Sequence, residues 1–368
     1  MKFYNPVTAY VEKNCVWNHK DELCSVGARA LIVTGRSSAR KNGSLDDVTA
    51  ALDAGQIAYE IFSEVEENPS VETVEKAAEA GKAFGADFVI GIGGGSPIDA
   101  AKAIAVLIAN PEETGDCMRK KVKELSGLPL VAVPTTCGTG AEITPNAVLT
   151  YHDRGTKKSM PYSVFPKFAF IDGKYLVGAP KSLLVNTSVD ALAHCVESYL
   201  HVKSNTYNRM FSGYGLRLWG NIKDIFLSDA PLSEEDAETL MLISTIAGMA
   251  ISQTTTSLPH AMSYELTYNK GVPHGKACGV FLAAYLRQYG KEGKEAVTEL
   301  LSLLGFDTVD AFGDFLKQIL GPVSVTEEEL TRFAAGLLAN TSKLATYPYA
   351  VTAEDVDALF RESLIVEA

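Results

Sequence analysis

The sequence predicts an α/β domain built on a parallel sheet over residues 1–180 and an all-helical domain over residues 181–368. Three observations carry that division. Short β-rich runs alternate with helical patterns through the first half. A buried run enters three consecutive glycines, Gly93 to Gly95. From Pro180 onward, helical segments follow one another with almost no strand signal. With 368 residues, 46% of them apolar, the chain is long enough to form two cores.

Taken in order, "RALIVTG" (29–35) reads as a buried strand, "SLDDVTAALDAG" as a helix, "AYEIFSEV" as a strand and "SVETVEKAAEAGKAFG" as a helix. "DFVIGI" (87–92) is the next buried strand. A helix from Pro97 to about residue 109, a strand at "LPLVAVP", a hairpin around "YHDRGTKK" and a strand at "FAFID" complete the first half. Strand, helix, strand at this rhythm predicts parallel pairing with helices on both faces, in the Rossmann-like manner. The helical half is read from "SLLVNTSVDALAHCVESYL", "SGYGLRLWGNIKDIF", "SEEDAETLMLISTIAGMAISQ", "KACGVFLAAYLRQYG", "GKEAVTELLSLLG" and "TVDAFGDFLKQIL".

A net charge of −12 without a Lys/Arg-dense run argues against nucleic acid or an anionic membrane surface as a partner. The six cysteines (15, 24, 117, 137, 195 and 278) have no C-x-x-C pair, and they read as reduced, small buried residues. The N-terminal residues show no apolar signal region, and no run reaches the roughly 18 apolar residues of a membrane span. A soluble, cytoplasmic protein is expected.

Two loops in the first half suit a dinucleotide. In "VIGIGGGSPIDAAKA", Gly93, Gly94 and Gly95 lead from a strand into a helix for which Ser96 is the expected N-cap and Pro97 lies in the first turn. Consecutive glycines let backbone N–H groups approach a pyrophosphate, and the helix N-terminus adds unpaired donors and the positive end of its dipole. The pattern is neither G-x-G-x-x-G nor a Walker A loop. In "VAVPTTCGTGAE", Thr135, Thr136 and Thr139 offer hydroxyls at a second strand exit. The exit of the first strand carries Gly35, Arg36, Ser37 and Ser38 and no acid to hold an adenosine ribose diol. That composition favours NADP over NAD.

The second half holds a candidate metal centre. Asp190 and His194 stand four apart on a predicted helix, so they project from one face. His260 and His274 each follow a proline, which places both near helix starts. One carboxylate and three imidazoles suit a borderline divalent ion, Fe²⁺ or Zn²⁺, able to polarise a substrate oxygen. His19, His152 and His201 lack comparable partners and read as structural or solvated.

"GGGSPIDAAKA", "PTTCGTGAE", "VDALAHCVESYL", "PHAMSYEL" and "PHGKACGV", in this order, resemble the iron-containing (group III) alcohol dehydrogenases, closest in pattern to butanol and 1,3-propanediol dehydrogenases. The resemblance spans essentially the whole chain. It implies a dehydroquinate synthase-like fold with a cleft between its domains, reversible oxidation of a small primary alcohol to an aldehyde, and a homodimer or larger assembly. It carries the ligand roles onto Asp190, His194, His260 and His274. It carries cofactor contacts onto Gly94, Gly95, Ser96, Asp99, Thr135, Thr136, Thr139 and Lys157.

Three residues depart from the family pattern. Tyr264 stands where many relatives have a second histidine, so Tyr264 or water becomes the proton carrier. Ser188 replaces a glycine and narrows the site; Ala141 replaces a serine with little expected consequence. The rival readings are a glycerol or polyol dehydrogenase, a sugar-phosphate cyclase of the same fold, and a non-catalytic sensor of metal and nucleotide.

Overall fold

In the computed structural model, which describes residues 2–367, the chain divides into two units. One comprises Tyr4–Ala179 with Leu232–Thr245, and the other consists chiefly of Pro180–Pro231 and Ile246–Ala368.

The first unit is organised by a six-stranded sheet: β1 (Thr8–Val11), β2 (Arg29–Gly35), β3 (Ala58–Val65), β4 (Phe88–Gly93), β5 (Leu130–Pro134) and, after a hairpin of β6 (Val148–Tyr151) with β7 (Thr156–Ser159), β8 (Phe168–Ile171). The spatial order is β1-β8-β5-β4-β2-β3, every pairing in it parallel. Alternate residues of β2 serve different cores. Leu31 and Val33 join one apolar cluster, Ala30 and Ile32 the other, so both faces are covered. Helix α1 (Ser44–Ala54) supplies Leu45, Val48 and Leu52 to one face, whereas α2 (Val71–Phe84) and α3 (Gly95–Ala109) cover the opposite one. Each fully buried Ile or Val contributes about 1.5–3 kcal/mol. All six residues of β4 are buried, which makes it the central strand in energy as well as position.

The strand order determines where this sheet can hold a ligand. From β2 the chain steps outward to β3, then returns to the other side of β2 as β4, so the direction reverses between β2 and β4. Open parallel sheets bind ligands beyond the strand C-termini at that switch point. The C-termini concerned are Gly35 and Gly93, which open the two loops that the sequence marks for a nucleotide.

β1 has no counterpart among the predicted strands. It is four residues long and nowhere fully buried, so it carries no apolar alternation, yet it pairs with β8 over its whole length.

In the second unit, α4 (Lys181–Leu200) is buried without interruption from Ser188 to Leu200. It is followed by α5 (Thr206–Ile222), then α6 (Glu234–Thr254), whose residues are shared between the units, then α7 (Leu258–Lys270), α8 (His274–Gly279) and α9 (Leu282–Leu304). The predicted helix through "KACGVFLAAYLRQYG" is in fact interrupted after Gly279, and α9 runs on through a kink at Gly293 (φ −114°, ψ 42°) to absorb the next predicted helix. A side chain at Gly279 would lie 2.4 Å from Val189 Cγ1, so α8 ends where it is pressed onto α4. The helical expectation needs one addition: Ser324–Thr326 and Ile365–Glu367 form a short parallel pair. Three residues each are too few to show a pattern. All six cysteines are free, and among the described residues no helix is long and apolar enough to cross a membrane.

Lys102 of α3 is fully buried; its Nζ donates to Asn146 O (2.7 Å) and lies 3.6 Å from Asp99 Oδ1. Asp99 Oδ2 accepts from Val148 N at 2.9 Å, so the pair ties α3 to the hairpin strand β6. Removing one partner of a buried pair strands the other charge. Lys102→Ala is therefore expected to destabilise the first unit by about 3 kcal/mol, read as a lowered urea midpoint for the fluorescence of that unit.

Candidate metal centre and phosphate seat

A helix buried on every side is normally apolar, yet α4 carries Asp190, His194 and Glu197 within its buried stretch. At i, i+4 and i+7 the three form one polar stripe, and each needs a partner in a site without water. The neighbouring helix α7 supplies the partner for Glu197. Glu197 Oε1 accepts from Ser257 N (3.2 Å) and His260 N (3.0 Å), and its other oxygen pairs closely with His260 Nδ1. No side chain of its own caps α7, so Glu197 serves as its cap from outside, an anion at the positive helix end. By occupying Nδ1, Glu197 turns Nε2 of His260 toward Asp190.

The imidazoles converge on one oxygen. Asp190 Oδ1 lies 3.3 Å from His260 Nε2, 3.7 Å from His274 Nε2 and 3.8 Å from His194 Nε2. His194 and His260 stack at 4.6 Å with an interplanar angle of 16°. Despite this crowding, Asp190 Oδ1 and His260 Nε2 are buried without a hydrogen-bond partner, as is His194 Nδ1. A divalent ion held tetrahedrally at about 2.0–2.2 Å sets its nitrogen and oxygen donors about 3.4 Å apart. The observed spacings and the unpartnered atoms therefore fit a metal ion. Burial pushes the Asp190 carboxyl up, but His194, His274 and His260 more than reverse this and hold it far below the carboxylate range. Burial takes His194 down to about 4 against the pull of Asp190. Both groups are thus in their metal-binding forms at neutral pH.

His274 reaches the cluster because α8 packs directly on α4. The missing side chain of Gly275 makes that possible: a Cβ there would sit 1.7 Å from Asn186 O and 3.2 Å from Asp190 N. Tyr264, 43% exposed, stacks parallel to His274 with ring centroids 6.5 Å apart. The Ser188 hydroxyl donates to Val185 O (3.0 Å) within α4. Ala141 is buried against Ile98 and Ala132.

The structure adds two residues that the sequence reading passed over. Glu197 is one turn beyond His194, a helical spacing visible in advance. Cys278, read as a small buried residue, stands four residues after His274. Its sulfur lies 3.8 Å from His274 Nε2 and within 4.8 Å of donor atoms of Asp190, His260 and His274. Burial pushes this thiol up, while His260 and His274 beside it bring it down to about 7. The remaining histidines are occupied elsewhere or exposed. His19 stacks on Tyr10 at 3.6 Å, His201 Nδ1 accepts from Lys203 N, and His152 is exposed.

In the first unit, the helix start differs from expectation. Gly94, extended at φ −77° and ψ −161°, is the N-cap residue and α3 begins at Gly95, while Ser96 Oγ accepts from Asn68 N at 3.0 Å. The glycines allow the helix to begin two residues earlier, and no side chain caps it. Gly93 has φ +147°, a conformation that glycine alone adopts freely. A Cβ on Gly94 would meet Thr136 Oγ1 at 3.0 Å, and one on Gly95 would meet Thr139 Cγ2 at 2.8 Å. The two predicted loops are therefore packed side by side. Thr135 N donates to Gly93 O (2.9 Å), which locks them together. An uncapped helix N-terminus in a cradle of glycines and threonines fits a pyrophosphate. Gly35 ends β2, and Ser37 and Ser38 are exposed just beyond it at the switch point. Lys157, on β7, is half-buried, and burial lowers its ammonium. Asp99 is committed to Val148 and Lys102.

Glu197→Gln keeps a hydrogen-bonding side chain but removes the anion that orients His260. A loss of about 10–100-fold in metal affinity is expected, measured by competition with a chromophoric chelator. Gly275→Ala changes no donor atom, yet it forces α8 off α4. Metal content after reloading is expected to fall below a tenth of the parent value, with the urea midpoint of the first unit unchanged.

A family model described as iron-containing alcohol dehydrogenase matches residues 6–173, and one described as the C-terminal part of the Fe-containing alcohol dehydrogenase family matches residues 184–364. The chain is 31% identical to lactaldehyde reductase of Escherichia coli over 320 residues, covering 81% of this chain and 78% of that protein. It is 37% identical to a solved iron-containing alcohol dehydrogenase of Thermotoga maritima, with a TM-score of 0.90 and 99% of each chain covered. A sulfoacetaldehyde reductase of Bifidobacterium kashiwanohense, solved in complex with NAD⁺, is 26% identical at a TM-score of 0.86, with 98% of each chain covered. Against the aldehyde-alcohol dehydrogenases of Entamoeba histolytica and E. coli, the chain spans only about a third of their length, 31% and 33%. On these matches, together with the convergent Asp/His cluster, the chain belongs to the iron-containing alcohol dehydrogenase family.

Proposed function

We propose that this chain is a metal-dependent, NAD(P)-linked alcohol dehydrogenase acting on a small primary alcohol and its aldehyde. The observation that carries the reading is the meeting of three imidazole nitrogens at Asp190 Oδ1, with buried donor atoms left unpartnered. Asp190, His194, His260 and His274 would hold the ion, Fe²⁺ by family and Zn²⁺ by the chemistry of the donors. When bound, the metal supplies Lewis acidity toward a substrate oxygen, and the nicotinamide supplies or accepts the hydride.

The protein's own groups do the positioning. Asp190 brings the negative charge that offsets part of the ion's. Glu197 fixes the tautomer and ring orientation of His260. Backbone N–H groups at the start of α3 would bind the pyrophosphate, with Gly94 and Gly95 letting the loop of Thr135, Thr136 and Thr139 pack against that helix start. Tyr264 Oη or a water carries the proton exchanged with the substrate oxygen. The absence of an acid after Gly35, with hydroxyls at Ser37 and Ser38, favours NADP over NAD. The free thiols accord with the reducing cytoplasm, and the working form is a homodimer or larger assembly by family resemblance.

The test follows oxidation of NADPH and of NADH with butanal and 3-hydroxypropanal, using chelator-stripped protein reloaded anaerobically with Fe²⁺ or Zn²⁺. Metal-dependent turnover, faster with NADPH, is expected. Protein that binds both cofactor and metal yet reduces neither aldehyde would redirect the search to polyols, phosphorylated sugars or sensing. His260→Ala and His274→Ala are expected to retain nucleotide binding while losing metal and at least 99% of turnover; a fully active, metal-free variant refutes the assignment.

A further inference from the structure

We propose that Cys278 is itself a metal donor, so that the centre presents a thiolate beside its carboxylate and imidazoles and selects a borderline-soft divalent cation. This rests on the metal-centre reading above and extends its donor set. The donors that lie mutually closest are those of Asp190, His260, His274 and Cys278, all within 4.8 Å of one another. His194 approaches Asp190 Oδ1 at 3.8 Å but does not belong to that mutually close group. Two of the four, Asp190 Oδ1 and His260 Nε2, are unpartnered in residues 4% and 3% exposed, so the space between them is built for a ligand.

The placement of the sulfur is fixed by the backbone. His274 and Cys278 are i and i+4 on α8, one above the other on a single face. Gly275 and Gly279 let that face press onto α4, bringing both donors to Asp190. A tetrahedral ion with a sulfur donor at about 2.3 Å and a nitrogen at about 2.05 Å sets them about 3.6 Å apart. Cys278 Sγ stands 3.8 Å from His274 Nε2. The side chain is fully buried, so no water competes for the sulfur. Binding converts the thiol to a thiolate, and its proton leaves to solvent as the sulfur–metal bond forms. A thiolate in the set shifts preference from Fe²⁺ toward Zn²⁺ and Co²⁺, compared with oxygen and nitrogen donors alone.

The experiment loads chelator-stripped full-length protein with one equivalent of Co²⁺ without oxygen and records its absorption. Visible d–d bands report an occupied site, and a near-ultraviolet sulfur-to-Co²⁺ charge-transfer band reports the thiolate. Both are expected in the parent protein. Cys278→Ser is expected to keep the visible bands, lose the charge-transfer band and bind Zn²⁺ at least about tenfold more weakly. Visible bands without charge transfer in the parent, or an unchanged charge-transfer band in Cys278→Ser, would overturn the thiolate and leave the Asp/His centre intact. No visible bands at all would overturn the centre and the thiolate together. Because the parent spectrum decides without the variant, misfolding of Cys278→Ser does not blunt the test. X-ray absorption of the Zn²⁺-loaded parent gives a second readout: one sulfur at about 2.3 Å supports the proposal, and a shell of oxygen and nitrogen only refutes it.

Discussion

A buried carboxylate oxygen with three imidazole nitrogens around it and a hydrogen bond to none is the constraint on which the helical unit depends. An ionised carboxylate without water or a partner costs several kcal/mol, and imidazoles stacked at 4.6 Å cannot all be protonated cheaply beside it. A divalent cation offsets both terms at once. Bound there, it would replace the lost hydration of Asp190 and take the lone pairs that face it. The helix that carries Asp190 can then be buried from Ser188 to Leu200, which an uncompensated polar stripe would not permit.

The rest of the unit serves that arrangement through close backbone approach and one external cap. Gly275 and Gly279 allow α8 to lie against α4 with less than a side chain between them, and His274 gains its place from that contact. Glu197 joins α4 to α7 by accepting from two backbone N–H groups while it holds Nδ1 of His260. Lys343 donates to Thr256 O (3.1 Å) just before the start of α7. Each of these contacts acts on where a donor atom points, and none of the groups making them has to touch substrate.

What could be read from the sequence follows physical range. The strands β2 and β3 and helices α1 to α3 were legible to within two residues because a buried apolar run in β2, alternation in β3 and helical periodicity in α1 to α3 are local signals. β1 was silent because an edge strand of four half-exposed residues owes its existence to β8, about 160 positions away. Asp190, His194, His260 and His274, which the structure brings together, were legible as residue types at telling positions, whereas Glu197 and Cys278, beside the same cluster, were not, although both stand at helical spacing from one of those four. Their roles arise where α4, α7 and α8 meet, and no local pattern encodes that meeting. Ser96 illustrates the converse. Its sequence position fits an N-cap, but three glycines lower the strain of starting the helix earlier, and the hydroxyl goes to Asn68 instead.

Tyr264 stands where the family resemblance leads one to expect a histidine, and the two side chains offer different chemistry. A phenol has an ordinary pKa near 10 and an imidazole near 6.5, so at neutral pH the tyrosine keeps its proton where a histidine would exchange one. Its ring lies parallel to His274 and is partly open to solvent, which preserves an aromatic wall beside the centre. A relay through such a group cannot work by changing its charge state. Were Tyr264 to carry the substrate proton, its hydroxyl would have to give one proton as it takes another, in concert with water. An aromatic wall and a group that titrates near neutral pH are thus separable properties, and a tyrosine beside His274 supplies the first without the second.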